Sequence, residues 1–508
     1  MDVELDRPDR DLFIDALRVV SVAVVVVGHW LTTTVIWEDG RIDGENALSV
    51  ISETHIATWL FQVMPLLFFV GGFANARSLQ RHGRAYLPFL RSRLERLLKP
   101  TVLFIGVWLG VSMVGEALPL PEPNLLERGA DIAALPFWFL GLYVAVVALA
   151  PVMWRLHRKH GWLIVLALGI GAAVVDTAHL GLGVPHIDIF NYALVWLVPH
   201  QLGYLVADGR LRKPGLGGAT AMAAAGLVGL VVATTAGGYP TSMIGVPGED
   251  RWNTGPPALP LIALTLWLVG LALLFAPMVR SRMRAAPTRR IVMGFNGSVL
   301  TMYLWHVSAL IPAAAIFYPL GLLSPDVGSG AWWALRPIWL LALAPFLFVA
   351  VLVLRRFEVH PRPNPIAPTD IPATRHLATT LGVASVAIAL LGFGGTGFNE
   401  VAGSTGEEVL GFEMNPLQNV LHLGIGLTLL WLAYRDAAQT VLAIAVGSTA
   451  YVVFGLIGWF DGLGLLAMNP AMARFHAVVG FVGLALLVSL LARDRARSPA
   501  RLALRSRS

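Results

Sequence analysis

RDLFIDALRVVSVAVVVVGHW, residues 10–30, is apolar enough for lipid, yet it holds Arg18 and His29. An ionisable side chain inside a membrane segment is costly and needs a partner or a task. The eleven-residue step between these positions turns a helix by about 20° beyond three full turns, so both side chains share one face, ~16 Å apart along the axis. Arg18 is a permanent cation suited to an anionic group. His29 has the pKa range of a general base, although a buried histidine can also serve as a hydrogen-bonded structural residue. Asp15 stands three residues before Arg18, at pairing distance on a helix. Glu53, Asp176 and Asp188 are acids that could orient the His29 ring, and the sequence does not choose among them.

These residues need elements to hold them, and composition says which kind. The chain has 508 residues, 56% of them hydrophobic and 13% charged, with a mean hydropathy of +0.69. Such values describe a polytopic membrane protein. About fourteen stretches are long enough to span the hydrocarbon core, centred near residues 25, 67, 107, 142, 170, 198, 226, 267, 308, 344, 386, 426, 449 and 482. The expected fold is therefore all-α, with ten helices followed by four. The first stretch lacks a small-residue cleavage site and reads as a retained anchor, not a signal peptide. Lys and Arg concentrate in alternate loops such as RSLQRHGRAYLPFLRSRLERLLK and VRSRMRAAPTRR, which predicts both termini on the cytoplasmic side. On that orientation the positive charge serves topology and not nucleic acid. The loops around 37–54, 115–131 and 237–257 are then external and form a mouth.

The absence of cysteine excludes a thiolate nucleophile, a disulfide and a thiolate metal site. No P-loop, G-x-S-x-G elbow or H-E-x-x-H occurs, which counts against an ATP-driven pump, an α/β-hydrolase and a zincin. The NGS at Asn296 lies on the cytoplasmic side of the predicted topology and is not expected to be glycosylated.

Residues 358–375 are proline-rich and predict an extended cytoplasmic linker. They separate a membrane domain over 1–357 from a four-helix membrane domain over 376–508. The latter contains a repeat: MNPLQNVLHLGIG from Met414 and MNPAMARFHAVVG from Met468. Asn followed by Pro is a helix start. His422 and His476 then fall two turns into equivalent helices, either as a ligand site or as interhelical hydrogen-bonding partners.

FIDALRVVSVAVVVVGH resembles the first helix of the acyltransferase 3 family, integral-membrane enzymes that O-acylate sugars, glycolipids and some secondary metabolites. Asp15, Arg18 and His29 fall on that family's Asp, Arg and His. QVMPLLFFVGGFANA from Gln62, RSRLERLLKP with Arg93 and Arg96, FWFLGLY from Phe137 and MYLWH ending at His306 are similar to further parts of it, in order. The C-terminal part resembles a four-helix membrane domain of unknown function found in actinobacteria. The resemblance implies an acyl-CoA donor, bound from the cytoplasm; Arg93 and Arg96 either grip its phosphates or serve only as a topogenic basic loop. No tightly bound cofactor or metal is expected.

His29 is then the expected base and Arg18 a donor-channel residue. His306, about ten residues into a helix expected to start near Asn296 and so close to the membrane midplane, is either a second polar group in the reaction tunnel or a structural histidine bonded to a neighbouring helix. His200, after Pro199, is expected to be structural. The acceptor expected is a hydroxyl of a lipid-linked or envelope carbohydrate, and the setting the bacterial cytoplasmic membrane. The alternative is a transporter or flippase, against which the two halves of residues 1–357 show no convincing symmetry.

Overall fold

An apolar segment in a bilayer must satisfy its backbone internally, and the helix is how a single segment does so. The computed structural model describes residues 11–505 apart from 39–40, 82–85, 118–122, 212–214, 318–319, 321–324, 359–371, 405, 434 and 460–464. Residues 359–371 of the expected linker lie outside the described residues, and its last residues, from Ala373, already belong to a helix.

The chain begins with α1 (Leu12–Thr32), the β1–β2 hairpin (Thr33–Glu38, Arg41–Asn46), and the short α2 (Ala47–Val50) and α3 (Thr58–Phe61). There follow α4 (Met64–Arg81), α5 (Tyr86–Ala117), α6 (Pro123–Ala133), α7 (Phe137–His160), α8 (Trp162–Asp176), α9 (Asn191–Ala207), α10 (Leu216–Thr235) and α11 (Leu259–Arg282). Next come α12 (Ala286–Asn296), α13 (Val299–Trp305), α14 (Leu310–Phe317) and α15 (Gly330–Leu354). The C-terminal part holds α16 (Ala373–Thr396), β3 (Glu407–Val409), β4 (Phe412–Met414), α17 (Pro416–Ala433), α18 (Ala437–Trp459) and α19 (Pro470–Arg505).

The protein is thus an all-α polytopic membrane protein. Among the described residues twelve helices are long and apolar enough to cross a membrane, or thirteen if the bent pair α13 and α14 counts as one span. The remaining expected stretch, near residue 198, is α9, a 17-residue helix that is almost entirely buried. The basic segment after α4 is less of a loop than expected: α5 resumes at Tyr86 and carries Arg91, Arg93 and Arg96 on a helix.

Contacts divide the chain into two units. The first comprises Met1–Gly106, Pro119–Gly129 and Leu149–Arg362. In it α1 packs against α4, α11, α12, α13 and α15. Two glycines let α4 and α9 meet backbone to backbone. A Cβ on Gly72 would fall 2.0 Å from the His200 carbonyl oxygen, and one on Gly203 would fall 2.2 Å from that of Phe69. At this crossing the Asn75 amide donates to His200 Nε2 at 3.1 Å. The segment between α10 and α11 is pinned from α3 and just beyond it: Trp59 donates to the Thr241 carbonyl at 2.8 Å and Gln62 to that of Met243 at 3.2 Å.

The second unit comprises Val107–Leu118, Ala130–Ala148 and Pro363–Ser508. Its repeat is built as its residues imply: Asn415 caps α17 through Gln418 N at 3.0 Å, and Asn469 caps α19 through Met472 N at 2.9 Å. His422 and His476 meet with their Nε2 atoms 3.0 Å apart. Tyr451 sits 2.8 Å from His422 Nδ1 and donates to Ser385 at 2.8 Å. Phe137 packs on Phe393 and Phe398 at 6.2 and 5.9 Å between ring centroids, and Asn399 donates to Asp131 at 2.6 Å.

Candidate active site

Both polar residues of α1 face the run from α12 to α14, at two levels of the helix. At the lower-numbered level Asp11 caps α1, accepting from Phe13 N at 3.0 Å. About two helical turns on, Arg18 Nη1 donates to the Asn296 side-chain amide oxygen Oδ1 at 3.1 Å and lies 3.4 Å from Asp15 Oδ1. Asn296 closes the triangle, its Nδ2 donating to the same Asp15 oxygen at 3.1 Å. Asn296 is the last residue of α12, so it ends a helix where the sequence reading had one begin. The amide uses both ends at once, as acceptor for a cation and donor to an anion.

His29 meets His306. The sequence placed His306 well inside a continuous helix, but α13 ends at Trp305 and the chain bends by 47° before α14. His306 therefore stands at a break. Pro312 has no N–H to offer the Ser308 carbonyl, so the helical ladder cannot run through unchanged. The break frees the His306 carbonyl, and the Trp30 indole donates to it at 2.8 Å. At its other end α13 is only seven residues long, with no side-chain cap from Ser298. Buried Glu358 supplies one: its carboxylate accepts from Thr301 N at 3.1 Å and Thr301 Oγ1 at 2.8 Å. A carboxylate also complements the positive end of a helix.

The hydrogen bonds fix the proton positions of the pair. His306 Nδ1 lies 2.6 Å from the Tyr303 carbonyl oxygen, which can only accept, so Nδ1 carries a proton. In the neutral ring Nε2 then holds a lone pair, and it accepts from His29 Nδ1–H at 2.9 Å. That leaves the lone pair of His29 on Nε2. His306 is fully buried, whereas His29 is half-buried, and among the described residues its Nε2 has no hydrogen-bond partner. The less buried ring is the one whose basic nitrogen has no partner among the described residues.

The acids considered as orienters are engaged elsewhere. Asp176 accepts from Asn191 at 2.6 Å, Tyr239 at 2.8 Å and Leu259 N at 2.9 Å. Asp188 pairs with His179 at 3.2 Å, and Glu53 is exposed. Burial, and then the hydrogen bond to Asp176, raise the Tyr239 pKa above its ordinary value, so this phenol stays a donor at neutral pH. Arg93 and Arg96 stand half-buried on α5. Arg93 donates to the Ala74 carbonyl of α4 and lies over the Phe89 ring.

Sequence reasoning missed Asn296, Trp30 and Glu358 as members of this arrangement. Gly297 and Ser298 after Asn296, and Pro312 after His306, were the available signals of helix breaks that need outside partners.

Residues 11–355 match the acyltransferase 3 family, described as an acyltransferase domain, and residues 375–489 match a domain of unknown function (DUF4383). No curated protein and no solved structure matches the chain at a significant level.

Proposed function

The chain belongs to the acyltransferase 3 family through residues 11–355, and from that premise we propose that His29 Nε2 is the base of an O-acyl transfer from an acyl-CoA-type thioester to a hydroxyl of an envelope sugar, glycolipid or related metabolite. The observation that carries this reading is the chain Tyr303 carbonyl, His306, His29, which leaves a lone pair on the half-buried nitrogen. The acceptor hydroxyl donates its proton to Nε2 while its oxygen bonds to the thioester carbonyl carbon. Collapse of the tetrahedral adduct breaks the carbon–sulfur bond, and the departing thiolate takes the proton back from Nε2. His306 holds the tautomer and ring orientation, as a buried second group does for a catalytic imidazole.

Arg18, held by Asp15 and Asn296, is ~16 Å from His29 along α1. Its role is to bind the polar arm of the donor. Arg93 and Arg96 then face the donor's phosphates with charge-assisted contacts. The positive-inside charge pattern supports a cytoplasmic position for this end, and the reading takes the membrane to be the bacterial cytoplasmic one.

The test compares envelope glycans, lipids and secreted metabolites by mass spectrometry in a deletion strain complemented with the natural gene or with His29→Ala at matched membrane expression. The expected result is one species that regains an acyl mass only with the natural gene, the variant losing ~100-fold or more of the transfer rate. Equal restoration by both genes would remove His29 from the mechanism.

A further inference from the structure

α15 turns one seam inward, formed by Trp332, Arg336, Trp339, Leu343 and Leu347. Ile338, Leu341, Phe348 and Val349 on its other sides are exposed, as lipid-facing residues are. A cation in the protein-facing seam requires compensation, because a buried charge without a partner is strongly disfavoured. Arg336 is 5% exposed, and among the described residues no carboxylate pairs with it. Among the described residues its Nε has no acceptor, and Nη1 reaches only the Thr33 carbonyl, at 3.5 Å. Its guanidinium lies over the rings of Trp332 at 4.1 Å and Trp339 at 5.9 Å.

The two tryptophans repeat the same deficit. Trp332 and Trp339 are 2% and 5% exposed, and the indole N–H of each is buried with no acceptor among the described residues. Positions 332, 336 and 339 are spaced i, i+4, i+7, so three donor-only groups share one stripe ~10 Å long. Other buried donors among the described residues also lack an acceptor, but these three lie together on one face. What Trp332 Nε1, Trp339 Nε1 and Arg336 Nε lack among the described residues is an acceptor, and at the guanidinium a negative one. A phosphate supplies several oxygens for such a fork.

The position is as specific as the chemistry. α15 packs on α1, which carries His29, and on α13 and α14, which flank His306. Thr33, which Arg336 contacts, is four residues past His29, ~6 Å along the axis and on the side away from Arg18. We propose that Trp332, Arg336 and Trp339 form an oxyanion site that holds a phosphate of the acyl acceptor beside His29. Its assignment to the acceptor rests on the acyl-transfer reading above; the oxyanion site itself does not. The phosphate belongs either to a lipid headgroup or to a water-soluble acceptor.

The test is native mass spectrometry of the full-length chain in detergent, titrated with phosphatidic acid and, separately, with diacylglycerol of the same acyl chains. The natural protein should hold one phosphatidic acid more tightly than diacylglycerol. Arg336→Gln should weaken that equivalent about tenfold or more, as loss of a charged hydrogen bond does, and Arg336→Lys should weaken it less. The double variant Trp332→Phe, Trp339→Phe keeps both rings and removes only the N–H donors, so it tests the site even where Arg336→Gln does not fold.

Phosphatidic acid binding that is no tighter than diacylglycerol, or unchanged in the double variant and in Arg336→Gln, overturns the proposal. Displacement of the bound lipid by inorganic phosphate would assign the site to a soluble oxyanion, and failure of phosphate to displace it would assign a lipid headgroup. His29→Ala should bind as the natural chain does. A site that binds normally in a protein whose transfer does not depend on His29 would refute the base and leave the oxyanion site standing.

Discussion

In the proposed mechanism the pair His29 and His306 does with two imidazoles what an imidazole and a carboxylate do elsewhere. A carboxylate partner would add a buried charge that needs its own compensation, whereas the Tyr303 carbonyl sets the same tautomer at no cost in charge. This ordering predicts the variants. His306→Leu removes the acceptor for His29 Nδ1–H and should lower kcat by about tenfold or more with little change in acceptor KM, because it acts on the base and not on binding. His306→Gln can still accept through its side-chain oxygen and should retain more activity than Leu. Steady-state kinetics on purified protein with a labelled thioester would separate the two. At the other level of α1, Asn296→Leu leaves Asp15 Oδ1 without that amide donor and Arg18 without that acceptor. It should cost about 1–3 kcal/mol, read as a fall in thermal midpoint, and it should raise the donor KM.

The elements that face α1 at these residues, α12 to α14, are short or broken, and some of their ends are satisfied from far along the chain. Trp30 donates to the carbonyl that the break at His306 exposes, and Glu358 caps α13. Trp30→Phe keeps the packing and deletes the donor, so it leaves a buried carbonyl unsatisfied. The expected loss is about 1–3 kcal/mol of stability, with a fall in kcat as the His306 ring loses its fixed position. Glu358→Ala should cost about 1 kcal/mol by removal of the cap and should act on α13 alone. Amide hydrogen exchange would show faster exchange at Thr301 and its neighbours, with α1 unchanged. Close crossings set the other limit on the elements. Gly72→Val would drive a side chain into the His200 carbonyl, and the α4–α9 crossing should fail to form, seen as loss of monodisperse protein.

For the whole molecule, the described contacts group Val107–Leu118 and Ala130–Ala148 with the C-terminal helices. Asp131 and Phe137, which match the acyltransferase family, find Asn399 and the rings of Phe393 and Phe398 inside that second unit. Removal of residues 376–508 would strip these partners away. The shortened chain should therefore show a lower thermal midpoint and aggregate on size-exclusion chromatography, even though the whole acyltransferase match is retained. Phe393→Ala in the full-length chain should cost about 3–5 kcal/mol by cavity formation and reproduce part of that loss. A shortened chain as stable as the parent would mean that these contacts contribute little.

The sequence by itself determined the membrane class, nearly every span, the repeated Asn-Pro helix starts and the face shared by Arg18 and His29. These follow from hydropathy, capping chemistry and the 3.6-residue period, all local properties. The family could also be read locally, because its motifs are short and ordered along α1, α4, α5, α7 and α13. Only the tertiary structure decided what His29 touches, that Asn296 links Asp15 to Arg18, and that His306 lies at a break. The partners are 281 residues apart for Asn296 and Asp15 and 277 for the two histidines. No local pattern reports such a distance, since a neutral imidazole or an amide accepts many partners and its choice is set by which helices pack together. The donor seam of α15 was hidden for the same reason: a sequence shows that Trp332, Arg336 and Trp339 share a face, but only packing shows that the face is buried and left without an acceptor.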